Sequence, residues 1–480
     1  MNATTTVRSR AAPRIRRALG VALLGACAAC QQVPVAPIDP AANGARIASR
    51  SLTDSAVQAA LQRHELGVAP DNAWSLDHLT LAAWTLRTDL AVARKELDAA
   101  RATTVVESQR PNPSVTTTTE NVVDDGAQHP WVVGAALAFS LELGGKRDIR
   151  RDRALAQEQV LEWQFGETLW AARAEVRAAL LELAFAERAA ALDDTEAGLA
   201  RQFLSWVDTR FEHGAATTSE RLAALQSLNE STSRRELDKA AVATASATLA
   251  AAVGVTPGEL AGVRTVVPPL EELRALPATD VNTARDLALV NRLDVRRALA
   301  EYGVAEQDLR AAVATQYPDI KLAPGYLLDQ ADHKITLGLD VPVPLFHGAD
   351  AAIDRAIAER ALAAAKFDDV QARALAAIDV GLARYESSRN ALAAAEAAER
   401  DATEAAASLE RRLEAGGANR GEVLAAQIAL AGLRRSSLTA RRAVLDAATE
   451  LENGIERPLF PASALETTAA IPELLVGGSR

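Results

Sequence analysis

Residue types able to do chemistry are sparse in this chain of 480 residues, and they do not stand at the spacings that chemistry needs. Leu143-Gly144-Gly145-Lys146-Arg147 superficially has the makings of a phosphate loop. It lacks the second glycine at Walker spacing and the Ser/Thr after the lysine, and reads better as a strand-to-helix turn. His64-Glu65 lacks the second histidine of a zinc hydrolase helix. The six histidines, His64, His78, His129, His213, His333 and His347, hold no ligand spacing with one another. His129 and His333 fall in expected hairpin loops, where a three-fold assembly could gather copies; a solvated loop histidine is the simpler reading. No Ser-His-Asp set can be argued. The expectation is a protein that is not an enzyme, with no cofactor and no metal. What remains is charge and turn chemistry: Asp208 and Glu212, then Glu410 and Glu414, each precede a glycine turn.

The elements that must position those turns are two long runs. Gly144 to Arg210 contains no proline and is dense in alanine, leucine, glutamate and arginine, so it is expected as one helix roughly 100 Å long. Large apolar residues recur in steps of seven, Leu169, Val176 and Leu183, then Phe185, Leu192, Leu199 and Trp206, which is a coiled-coil seam. Gly348 to Glu414 is a second run of the same kind. The stretch after each run repeats: Arg210 to Gln226 matches Arg412 to Ile428 at a constant offset of 202, pairing Glu212 with Glu414, Gly214 with Gly416 and Glu220 with Glu422. Upstream, Asp89, Glu96 and Pro113 answer Asp294, Glu301 and Pro318. The chain reads as two copies of one unit, residues 76–279 and 280–456.

Residues 1–26 read as a signal peptide, a basic segment followed by an apolar run too short for the roughly 20 residues of a membrane helix. The run ends Leu24-Gly25-Ala26-Cys27, which resembles a bacterial lipobox. Cys27 is the preferred acylation site and Cys30 the rival; an ordinary cleaved signal is the plain alternative. These are the only cysteines, so the body has no disulfide framework. Residues 27–75 are expected as an acylated tether, extended over Gln31 to Asn43 with a short helix at Thr53 to His64. Ser75 or Asp77 then caps a helix running to Glu107. The net charge of −11, with both signs mixed along the helices, excludes a nucleic-acid partner.

Period-two alternation marks strands at 113–123, 131–143, 319–328 and 334–343. Trp131, Val133, Leu137, Phe139 and Leu141 share one face, as do Ile335, Leu337, Leu339, Val341 and Val343 on the last strand. The lengths suit tilted transmembrane strands. A soluble four-stranded sheet is the bland alternative, but it would have no obvious partner layer. The tip turns fall at 211–220 and 413–422. A linker from Gly254 to Pro277 with a short helix at 271–275 joins the repeats, and 457–480 is a loosely ordered tail.

Two repeats of helix, strand pair, very long helix, tip turn and returning helix resemble the TolC-like outer membrane efflux family, from about Leu76 to Phe460. Its local carriers are Arg110-Pro111-Asn112-Pro113, Leu141 to Arg147, Gln316-Tyr317-Pro318 and the two tips. The first two look most like the CzcC-like heavy-metal efflux branch. Val343 to Gly348 departs from that branch and follows the generic family turn. The resemblance implies a mainly α fold with a transmembrane β part: a homotrimer with four strands per protomer in a twelve-stranded outer-membrane barrel, and long helices forming a periplasmic α-barrel. Edges of a four-stranded sheet left open in lipid would independently demand closure by further copies.

The resemblance implies a passive outer-membrane export duct that docks a periplasmic adaptor, or membrane fusion protein, and an inner-membrane pump of RND or other type. The implied cargo is heavy-metal cations or small toxic compounds. The adaptor contact falls on the tips, Gly214, Thr217, Ser219 and Glu220 in one and Gly416, Gly417, Asn419 and Glu422 in the other. Asp208, Glu212, Glu410 and Glu414 would form acidic rings at a pore constriction if they face the lumen. The alternative is outer-face carboxylates paired with Arg210, Arg411 or Arg412. A channel for type I protein secretion shares this fold; a periplasmic adaptor would carry one hairpin and not two repeats.

Overall fold

The structure, a computed structural model, describes residues 33–456 apart from 65, 68–72, 122, 124–130, 267–280 and 331. The signal segment, Cys27, Cys30, His129, the short helix expected at 271–275 and the tail at 457–480 lie outside the described residues. Two units divide the chain, Met1–Ser49 and Arg50–Arg480. In the first, the stretch expected to stay extended is helical from Pro40 to Ala48 (α1). Asp39 caps it by accepting from the Ala41 and Ala42 N–H groups at 2.9 and 3.2 Å, and Pro40 sits at the first helical position, where its missing N–H costs nothing.

The second unit opens with α2 (Ser55–Arg63), β1 (Ala73–Trp74) and α3 (Leu76–Leu86). These residues are not tether: Leu52, Val57, Leu61 and Trp74 are buried in the largest apolar cluster, with Leu79, Val176 and Leu249. Val57 and Leu61 lie four apart and so share the helix face that packs inward. Ser75 is the N-cap of α3, and its Oγ also meets His78 Nδ1 at 2.7 Å.

The single helix expected up to Glu107 is broken. α4 (Thr88–Glu107) starts afresh after Arg87, whose backbone is extended at ψ 137°. The cause is an arginine clamp. Arg87 donates from Nε and Nη2 to the two oxygens of Asp89, at 3.0 and 2.7 Å, and from Nη1 to the Ala252 carbonyl at 3.3 Å. A planar guanidinium fits a carboxylate in this two-pronged way.

β2 (Ser114–Asn121) and β3 (Trp131–Leu141) follow, then α5 (Lys146–Glu212, 67 residues) and α6 (Thr218–Val253). α7 (Pro257–Leu260) leads to β4 (Arg264–Thr265), which pairs parallel to β1. The second repeat holds α8 (Val281–Asn291), α9 (Leu293–Ala314), β5 (Ile320–Asp329), β6 (Asp332–Asp340), α10 (Asp350–Glu414, 65 residues) and α11 (Arg420–Ile455). The clamp recurs: Arg292, extended at ψ 126° between α8 and α9, holds Asp294 with Nε and Nη2 and reaches the Gly454 carbonyl at 3.0 Å. Both repeats thus tie the start of a strand-bound helix to the end of a returning one.

The seam of α5 follows the sevenfold spacing only in its first half. Leu169, Val176 and Leu183 are buried, but Leu192 and Leu199 are half-buried, and Asp193, Glu196, Ala197 and Ala200 take the interior instead. Small residues let the helices approach closely there, and the two carboxylates find arginine partners described below.

Candidate functional site

The two tips share one construction. In the first, Gly214 adopts φ 68°, a left-handed backbone open to glycine at little cost. The Ala215 N–H donates to the Arg210 carbonyl at 2.7 Å, and Arg210 Nη2 donates back to the Ala215 carbonyl at 2.6 Å. α6 then begins with a capping box: Thr217 Oγ1 accepts from the Glu220 N–H at 3.2 Å, and Glu220 Oε2 accepts from the Thr217 N–H at 2.6 Å. That backbone bond, followed by the Thr217 hydroxyl, holds the Glu220 carboxyl below its ordinary range. Ser219 Oγ lies 3.0 Å from Thr217 Oγ1.

The second tip repeats each part. Gly416 has φ 75°, Arg412 Nη2 reaches the Gly417 carbonyl at 3.0 Å, and Asn419 with Glu422 forms the capping box. Arg210 and Arg412, expected only as possible partners of the nearby carboxylates, instead hold the two turns through backbone carbonyls. They were visible in the aligned repeat, but the spacing of an arginine five residues before a carbonyl carries no signal of its own.

The four acids differ in surroundings. Asp208 is ion-paired with Arg221 at 2.7 Å, across the turn within one hairpin. Glu410 accepts from Gln427 Nε2 at 2.6 Å. Glu212 and Glu414 are the last residues of α5 and α10, both exposed, and neither forms an ion pair among the described residues.

The hairpins also meet each other. Gly421, in the first turn of α11, faces the Trp206 ring so closely that a β-carbon there would overlap it. Trp206 in turn stacks on Phe203 and carries Arg210 over its face, 4.8 Å from the centroid. Farther from the tips, Arg435 of α11 bridges Asp193 of α5 at 2.5 Å and Asp238 of α6 at 2.6 Å, and Arg234 pairs with Glu196. Burial pushes the Asp193 carboxyl up, whereas hydrogen bonding to Arg435 holds Asp238 down.

At the other end, four antiparallel strands stand in the order β2-β3-β5-β6. Residues directly opposite share a face, so the register sorts the sheet. One row runs Thr117, Ala135, Tyr326, Ile335, and a parallel one Thr119, Val133, Leu328, His333. On the opposite face, Thr118, Gly134, Leu327 and Lys334 run between them, and Thr116, Ala136, Gly325 and Thr336 form the row on the other side of the first. Gly325 is required there, since a β-carbon would come within 2.7 Å of Thr336 Oγ1 and 2.9 Å of Ala136 Cβ. The apolar face is open in the protomer: Ile335 is 91% and Leu337 70% exposed. His333, expected in the hairpin loop, belongs to β6, on the apolar face, where its ring meets the Tyr326 hydroxyl.

An open groove of about 830 Å³ beside the first clamp is lined by Arg87, Asp89, Glu175, Glu182 and Thr248. Arg87 is engaged there by Asp89 and Glu175. No group of three or more potential metal ligands occurs among the described residues, and no helix among them is long and apolar enough to cross a membrane.

Solved structures with the same architecture include a membrane protein from Pseudomonas aeruginosa, with a TM-score of 0.67 at 19% identity over 92% of this chain and 100% of that one. The outer membrane protein VceC from Vibrio cholerae aligns at 0.64 with 18% identity, over 79% and 95%. The CmeC outer membrane channel of Campylobacter jejuni aligns at 0.65 with 14% identity, over 93% and 98%. At these identities the likeness establishes the fold. No match was found among curated proteins. The sequence model of the family "Outer membrane efflux protein" matches residues 82–255 and 284–455, one segment in each repeat. The duplication, the sheet with an open apolar face and the paired tips therefore have one source: this chain belongs to the outer membrane efflux protein family, a family of outer-membrane channel components and not an enzyme class.

Proposed function

We propose that three copies of this chain close one continuous duct, a twelve-stranded barrel in the outer membrane continuing as a helical tunnel into the periplasm. The observation that carries this reading is the four-stranded sheet itself. Its first and last strands, β2 and β6, have no strand beyond them among the described residues, and its apolar face has no covering layer there. In lipid every backbone group must be paired, so such a sheet needs further strands to close it. The row of Thr116, Ala136, Gly325 and Thr336 then faces the aqueous lumen.

The tips receive a periplasmic adaptor whose inner-membrane pump supplies the energy. Gly214, Thr217, Ser219 and Glu220, with Gly416, Gly417, Asn419 and Glu422, form that contact. The exposed Glu212 and Glu414 supply most of the uncompensated negative charge at the tunnel end; Asp208 and Glu410, already bonded within the protomer, add less. The cargo is small toxic compounds, heavy-metal cations among them. Acylation of Cys27, or of its rival Cys30, anchors the chain to the outer membrane.

Planar-bilayer recording of the purified chain tests the reading. Discrete conductance with cation preference is the expected result. The preference falls when Glu212 and Glu414 are changed to Gln, and falls further when Asp208 and Glu410 are neutralised too. A preparation without channels removes the duct; unchanged ion preference in the four-fold variant removes only the acidic constriction.

A further inference from the structure

The second repeat ends in a feature that the first lacks. α6 and α11 both stop on a residue in the left-handed region, Gly254 at φ 89° and Glu456 at φ 50°, and these positions correspond at the offset of the tips. Glycine takes that backbone freely, whereas a glutamate there is strained. Something else must favour it. Glu456 Oε2 accepts the Leu293 N–H at 2.5 Å, the first N–H of α9, whose N-cap residue Arg292 provides no side-chain cap. A carboxylate at that place satisfies an orphan donor and meets the positive end of the helix.

Charge crowds the same joint. From α9, Arg292 is committed to Asp294, at 2.9 and 2.6 Å. Arg297 is divided between Glu167 of α5, at 2.7 Å, and Glu301, at 2.5 Å. On α11 itself, Glu452 lies one turn back and is held by Arg173 and Arg177 of α5. Glu167, Asp294, Glu301 and Glu456 thus share two guanidiniums, and Glu456 is the carboxylate whose near partner among the described residues is a backbone N–H.

We propose that Glu456 is a protonation-controlled latch between α11 and α9: proton uptake tightens the joint linking the second tip hairpin to the helix that feeds β5, and proton loss loosens it. The neutral carboxyl keeps its carbonyl oxygen as acceptor for the Leu293 N–H and no longer repels Asp294 and Glu167. Burial first, then the neighbouring Asp294 and Glu167 carboxylates, push the Glu456 carboxyl up to about 7, against the opposing pull of the Leu293 N–H and Arg292. Because the folded value lies above the ordinary 4.5, the stabilisation is complete below that value and is lost as pH rises through about 7. This property concerns the joint alone and stands whether or not the duct reading does.

Hydrogen exchange of the purified full chain, corrected for intrinsic rates, tests the latch at the first-turn amides of α9. Wild-type protection should fall by up to roughly tenfold between about pH 6 and about pH 8, as the titration of one group allows. Glu456→Gln should hold high protection at both. Glu167→Gln removes a repelling carboxylate and should move the fall to lower pH. Flat protection in the wild type, or a fall in Glu456→Gln as large as the wild type's, overturns the proposal. Should Glu456→Gln fail to fold, an unchanged midpoint in Glu167→Gln overturns it equally.

Discussion

Glu452 is a carboxylate shared between helices and only 1% exposed, gripped by Arg173 at 2.5 Å and by Arg177. Burial alone would raise its carboxyl, but the two guanidiniums overcome that and hold it below the ordinary range. A group with a lowered folded value stabilises the fold above its unfolded value, and the contribution drains away as pH falls through the folded one. Glu452→Ala leaves two arginines without their shared anion and is expected to destabilise by roughly 3–5 kcal/mol. Denaturant midpoints at neutral pH check this, and the gap between wild type and variant should shrink well below about pH 4. A gap that persisted there would show that packing, not charge, sets the loss. Nothing in the spacing of residues 173, 177 and 452 announced this triad. The arginines lie four apart on one helix face, but their carboxylate comes from the far end of the chain.

At the scale of the element, the tips show how a sequence can specify a turn almost completely. A glycine for the left-handed residue, then Thr217 or Asn419 with a glutamate three residues later, dictates both the stop of one helix and the start of the next. Those positions were readable because each bond spans only a few residues. The coupling between the hairpins was not. Gly421 reads as an unremarkable helix residue, yet it leaves room for the Trp206 ring of the other hairpin. Gly421→Leu should therefore force the hairpins apart and destabilise by roughly 1–3 kcal/mol, as overpacking does. Adding Trp206→Ala should recover most of that loss. Thermal unfolding of the two single variants and the double variant measures it, and strict additivity would show that the ring and the glycine do not act as a pair. The helix breaks at Arg87 and Arg292 were hidden for a similar reason. Their flanks are good helix formers, and the extended backbone depends on carbonyls of Ala252 and Gly454 that lie more than a hundred residues away.

For the whole molecule, the register of the sheet makes the sharpest demand. Thr336 and Leu337 are neighbours in β6 but point to opposite faces. In a barrel wall, an arginine in place of Leu337 meets lipid and costs roughly 2–4 kcal/mol near the bilayer midplane, whereas the same residue at Thr336 meets water. Leu337→Arg should cut the yield of assembled outer-membrane protein, and Thr336→Arg should assemble and alter conductance. Extraction and heat-resistance of the oligomer distinguish the two; equal tolerance would mean that the apolar face does not meet lipid. Alone, the sequence determined the duplication, the long helices, the strands with their face assignment and the capped tips, because each rests on periodicity or on bonds between near neighbours. Only the tertiary structure decided that Leu52, Val57, Leu61 and Trp74 join the core, that the lower seam of α5 buries Asp193 and Glu196 against Arg435 and Arg234, and that Glu456 closes on Leu293. Those outcomes depend on which distant segments meet, and a buried charge is tolerated only where folding delivers its partner.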